Sequence, residues 1–96
     1  MSMVMDFDSR RLIFMGEISV MEAEEIAGYL KDQLETLKTW NRIKIDIQEL
    51  ESLDSAILQI LLSVYRTFPD KTVFSAPHPK AEGVFKTHGL KFASGG

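Results

Sequence analysis

The chain has no cysteine. That excludes disulfides, iron–sulfur clusters and cysteine-ligated zinc, and it fits a reducing compartment. No apolar run approaches the ~18 residues that a membrane span needs. The opening MSMVMDFD has no basic stretch ahead of an apolar block, so no signal peptide is evident. Basic residues do not cluster beyond Arg10-Arg11, and the formal charge is −3, so a nucleic-acid footprint is lacking. The only histidines are His78 and His88, and neither has a carboxylate beside it, which makes a poor metal site. The glycines of GEI and EGV stand singly, so no phosphate-binding loop occurs there. No G-x-S-x-G elbow presents a serine nucleophile, which argues against a Ser55-His88-Asp triad. These absences lead to the expectation of a cytoplasmic protein with no enzymatic activity, no metal, no cofactor and no membrane insertion.

What is present suits an ordinary globular domain, with 45% apolar and 26% charged residues in a chain of 96. A single domain over residues 1–96 is expected, with 93–96 as a loose tail. The stretch from Ile43 to Phe68, IKIDIQELESLDSAILQILLSVYRTF, organises it. Ile43, Ile45 and Ile47 alternate with Lys44 and Asp46, the period-2 pattern of a strand. A turn carries Leu50 and Leu53. Asp54-Ser55 then opens a run too long and too leucine-rich for one strand, which reads as helix until Pro69 stops it. Ile57, Ile60, Leu61, Val64 and Phe68 form its core stripe. Ala56, Leu58, Leu62 and Tyr65 add apolar surface on other sides, and Leu58, Leu62 and Tyr65 are expected to form a protein-docking face. Asp54 suits the N-cap. Ser55 then falls in the first turn, at the positive end of the helix dipole, where added negative charge is favoured.

The rest of the chain reads as follows. Met3, Met5 and Phe7 alternate with Val4, Asp6 and Asp8 as a first strand. Asp8-Ser9-Arg10 is a polar break, and Arg11 to Met15 is a second strand ending at Gly16. Strands so close in sequence form an antiparallel hairpin. Ser19 to Lys38 is helical in period, with Ala23, Ile26, Ala27, Leu30, Leu34 and Leu37 as its stripe. Ser19 and Glu22 have the spacing of a capping box. Gly28 weakens this helix by about 1 kcal/mol relative to alanine, and close packing is one reason to keep it. Thr72 to Ala76 reads as a fourth strand and Lys80 to His88 as a third helix. The fold class is therefore α/β. A four-stranded mixed sheet, an N-terminal antiparallel hairpin followed by parallel strands, carries helices mainly on one face in the order β-β-α-β-α-β-α.

This arrangement resembles the STAS domain, the fold of bacterial anti-sigma-factor antagonists. The family pattern is an aspartate ending the third strand, seven residues, then Asp-Ser and an apolar helix. Asp46, Asp54 and Ser55 have that spacing. Gly16-Glu17-Ile18 resembles the Gly-Glu-Leu before the family's first helix. Gly83 to Leu90, with Phe85, Gly89 and Leu90, resembles its third helix and the Gly-Leu that follows.

The resemblance implies a non-catalytic protein-binding switch in transcription regulation. In such members a serine/threonine kinase, itself the anti-sigma factor, phosphorylates the serine matching Ser55, and the phosphorylated form releases it. Asp54, Ser55, Ala56, Leu58, Leu62 and Tyr65, with Ser19, are then the expected partner-binding residues. Ser19 stands where the family has an aspartate, and Ala56-Ile57 where it commonly has a small residue and glycine. Those positions suit the alternative, a constitutive STAS subunit of a larger assembly such as a lipid-transport ABC system. Asp46 also invites comparison with a receiver-domain phosphoaspartate, with Asp6 and Asp8 as magnesium ligands. A receiver needs a helix between its first two strands, and Ser9 to Arg11 cannot supply one. Asp46 is instead expected to be a structural carboxylate that accepts backbone hydrogen bonds from the turn after it.

Overall fold

The structure is a computed structural model, and it describes residues 2–51 and 54–74. Alternation builds the hairpin. Met3 and Met5 of β1 (Met3–Asp6) and Leu12 and Phe14 of β2 (Arg11–Gly16) turn inward, while Val4 faces out. The strands pair antiparallel, from Met3 opposite Phe14 to Asp6 opposite Arg11. Asp6 shapes the turn between them, because its Oδ1 accepts the N–H groups of Asp8 (3.1 Å) and Ser9 (3.3 Å). Phe7 is therefore a turn residue and not the third inward position of a longer strand. Its ring stands edge-on to Trp40, with centroids 6.1 Å apart.

The expected single helix is two. α1 (Val20–Asp32) and α2 (Leu34–Thr39) meet at Gln33, whose N–H is shared between the carbonyls of Tyr29 and Leu30. Lys71 holds the far end of α2. Its Nζ donates to the carbonyls of Leu37 (2.7 Å), Trp40 (2.7 Å) and Lys38 (3.2 Å) at the helix's C-terminal end, where the Leu37 carbonyl also accepts the Trp40 N–H at 3.2 Å. The break carries Leu37 and Trp40 into the core. Ala27, which spacing puts on the apolar stripe, is exposed. Gly28 is exposed too, and nothing lies within 4 Å of where its Cβ would be, so close packing does not explain it.

β3 (Ile43–Leu50) runs three residues beyond the expected end at Ile47, so Leu50 belongs to the strand and not to a turn. It pairs parallel with β2 and with β4 (Thr72–Phe74), giving the sheet order β1-β2-β3-β4. The register slips between Ile13 and Met15, which face Asp46 and Glu49, so β3 carries one extra residue. The slip resets the alternation. Ile43, Ile45 and Ile47 point inward, Gln48 and Glu49 both lie exposed, and Leu50 returns to the core.

α3 (Ser55–Thr67) crosses back to β4. Ile57, Ile60, Leu61 and Val64 are buried as the spacing requires, and Phe68 packs half-buried beside them. α1 packs against α3 over the inward face of the sheet, while Ile13, Lys44 and Asp46 on the other face are only half-buried. The expected Ser75–Ala76 end of the fourth strand, the third helix over 80–88, both histidines and the 93–96 tail lie outside the described residues.

Candidate functional site

Two parallel strands place the site. β2 and β3 end side by side, at Gly16 and Leu50, and the helix after each begins at that edge. Gly16 has φ +73°, a conformation open to glycine at little cost, and its carbonyl accepts the Glu51 N–H at 3.0 Å. Ile18, 2% exposed, pins the link into α1. Ser19 caps that helix by accepting the Glu22 N–H at 3.2 Å.

The capping box is only half formed. Glu22 does not reach back to Ser19; its carboxylate accepts the Ser2 N–H instead, tying the start of the chain to α1. The hydrogen bonds from Ser2, side chain first and backbone second, hold the Glu22 carboxyl below the ordinary carboxylate range.

Asp54 caps α3 from an extended backbone (φ −96°, ψ 177°). Its Oδ1 accepts the Ile57 N–H at 3.2 Å and its carbonyl the Leu58 N–H at 3.0 Å. Ser55 is the first helical residue, and both it and Asp54 are exposed. The N–H groups of Ser55 and Ala56 have no hydrogen bond among the described residues, and no acid follows the cap in the first turn. Such a helix start accepts an added anion readily.

The other expected site residues divide. Ala56, Leu58 and Tyr65 are half-buried against the core. Leu62 is 4% exposed and belongs to the core, so a docking face made of its side chain is ruled out. The reason is that α3 buries more than one stripe: Ile57, Ile60, Leu61, Leu62 and Val64 are all inside. Ser19 sits at the same edge as Ser55, as the neighbour of the other helix start.

Asp46 lies within β3 and not at its end. Its Oδ1 accepts the Gln48 N–H at 3.1 Å, and its Oδ2 is 3.4 Å from Arg11 Nη1. Both contacts lie beside the bulge, where a side-chain acceptor can serve a backbone N–H. Asp6, the imagined magnesium ligand, is spent on the hairpin turn. Hydrogen bonds from Ser9, side chain then backbone, hold its carboxyl below the ordinary range.

Sequence reasoning passed over Val20 and Met21, which stand 62% and 76% exposed where α1 begins. A signal existed for Met21. At about 100° per residue it falls opposite the Ala23, Ile26 and Leu30 stripe, so an apolar side chain there has no place in the core. Glu17, Glu49, Glu51 and Asp54, all exposed, fall at the same end of the strands, so that end carries acids as well as these apolar residues.

No family model and no curated protein matches this sequence. Among solved structures the chain is similar to that described as "Structure of the Anti-Sigma Factor Antagonist SpoIIAA in its Unphosphorylated Form". The TM-score is 0.77 at 17% identity, over 98% of this chain and 89% of that one. The fold is thus STAS-like, a four-stranded mixed α/β sheet of the kind that the element order implied. Among the described residues no helix is long and apolar enough to cross a membrane.

Proposed function

We propose that this protein is a non-catalytic, anti-sigma-factor-antagonist-like regulator that binds a protein partner at the acidic edge, gated by phosphorylation of Ser55. The partner is a serine/threonine kinase-type anti-sigma factor, and the setting is the bacterial cytoplasm. The observation that carries the reading is the placement of Ser55. It is an exposed hydroxyl on the first residue of α3, beside an N-cap aspartate.

The chemistry is electrostatic. A phosphate adds roughly −1.5 to −2 charge. The unpartnered N–H groups at the start of α3 receive it, so the fold tolerates the modification. A partner surface meeting Glu17, Glu51 and Asp54 senses it strongly, because like charge accumulates at one edge. Val20 and Met21 supply the apolar contact that Leu62 does not, with Ala56 and Leu58 at its margin.

Incubation with ATP and a kinase-type anti-sigma factor, followed by intact mass and peptide mapping, tests the gate. One phosphate at Ser55, absent in Ser55→Ala, is the expected result. No mass increase with a kinase that modifies another antagonist would remove the gate from the reading.

One observation favours a second reading, a constitutive subunit of a larger assembly such as a lipid-transport ABC system. Ser19 spends its hydroxyl on capping α1 and offers no acid to a partner. In that case Ser55→Asp leaves partner binding unchanged.

A further inference from the structure

At the other end of the sheet three cations from three separate segments meet. Arg10 comes from the β1–β2 turn, Arg42 from the loop before β3, and Lys44 from β3 itself. With Ser9 and Asn41 they line an open surface depression, in which only Lys44 is half-buried. The Lys44 N–H to Arg10 carbonyl bond, 3.1 Å, holds turn and strand together. Arg11, the neighbouring cation, is already committed to Asp46 (3.4 Å) and to the Ser9 hydroxyl (3.0 Å). Arg10, Arg42 and Lys44 make no ion pair among the described residues. That is notable in a chain with 14 acids and 11 Lys and Arg residues. Arg10 also sits at φ +56°, where glycine or asparagine would be strained less, yet a guanidinium occupies the position.

We infer that Arg10, Asn41, Arg42 and Lys44 form a binding site for a phosphoryl-bearing anion. Two guanidinium forks match phosphate oxygens in pairs, the ammonium adds a point charge, and the Asn41 amide supplies a neutral donor. The Ser9 hydroxyl accepts from Arg11 and donates to the Asp6 carboxylate, so Ser9 borders the site without supplying a donor to it. The site is independent of the Ser55 edge, because β3 alone spans about 23 Å at a rise of about 3.3 Å per residue. The shared chemistry is the phosphoryl group, either free in solution or on a lipid headgroup.

Titration of the intact protein with pyrophosphate at fixed ionic strength, followed by amide NMR shifts, tests the free source. Cosedimentation with phosphatidylserine vesicles tests the lipid source. The site predicts saturable shifts at Ser9, Arg10, Asn41 and Arg42, or vesicle binding. Whichever occurs should weaken at least fivefold in Arg42→Gln and in Lys44→Gln. Lys38→Gln, outside the depression and paired with Glu35, should change nothing. Unaltered spectral dispersion in each variant shows that the fold is kept. Binding in neither arm, or equal weakening by Lys38→Gln, overturns the inference.

Discussion

Asp46 Oδ1 accepts the backbone N–H of Gln48 at 3.1 Å, within the stretch where β3 carries one residue more than β2. The side chain replaces a ladder bond that the register slip removes. The slip in turn brings Leu50 back to the core and sets where the strand ends. The carboxylate therefore lies at the slip that precedes this edge, and its contacts are with Gln48 and Arg11.

Asp46→Ala should accordingly cost about 1–2 kcal/mol of stability, the price of a lost hydrogen bond at a partly exposed N–H. Asp46→Asn keeps the acceptor and loses only the long Arg11 pair, so its cost should stay below about 1 kcal/mol. Urea unfolding of both variants checks the order. Equal losses would mean that charge, and not the Gln48 bond, is what matters.

Lys71→Met should destabilise by about 2 kcal/mol, since three carbonyls lose a charged donor and an apolar side chain cannot replace it. The ammonium also lies 4.7 Å from the Phe68 ring centroid, and that contact goes with it. Trp40 is the one tryptophan, and its carbonyl is among the three, so its fluorescence reports the loosening directly. An unchanged emission maximum and midpoint would show that water caps α2 equally well.

Two glycines should respond oppositely to alanine. Gly28→Ala should stabilise by about 0.5–1 kcal/mol, because the position is helical and the added methyl meets open space. Gly16→Ala should destabilise by about 1–2 kcal/mol, because a side chain at φ +73° is strained although space is available. Thermal unfolding separates the two signs.

The carboxyls of Asp6 and Glu22 both lie below their ordinary values in the folded protein. Folding is thus favoured by their ionised forms. That contribution is present above the unfolded pKa, near pH 4, and is lost as pH falls through the folded values. Stability should decline below about pH 4, and Asp6→Asn and Glu22→Gln should each flatten the decline. Unfolding midpoints measured from pH 6 downward check this, and a slope unaltered in both variants would contradict it.

Much of the architecture was legible because period and order carried it. The alternation at Met3, Met5, Leu12, Phe14 and the isoleucines of β3 fixed which face of each strand is inside. The short Asp8–Arg10 break forced a hairpin, and Asp54-Ser55 announced a helix start. What was not legible came from tertiary partners. Nothing near Trp40 in sequence says that Lys71 will take the end of α2. Glu22 has the spacing to cap with Ser19, and a residue twenty positions away, Ser2, claims it. The β3 bulge depends on β2, so the strand looked shorter than it is. Leu62 looked like surface because one stripe was assigned to the core, whereas α3 buries a wider arc.

The edge itself was half visible. Asp54 and Ser55 were readable from the cap pattern, because an N-cap is a local device. Val20 and Met21 were not, because two apolar residues before a helical stripe look like part of it until the phase is computed.

The most direct measurement is the affinity of the partner kinase for the unmodified protein and for the same protein carrying phosphate on Ser55. The account predicts at least tenfold weaker binding for the phosphorylated form, about 1.4 kcal/mol, with its unfolding midpoint nearly unchanged. Equal affinities would contradict it, as would a phosphate that unfolds the domain instead of changing only how its edge is read.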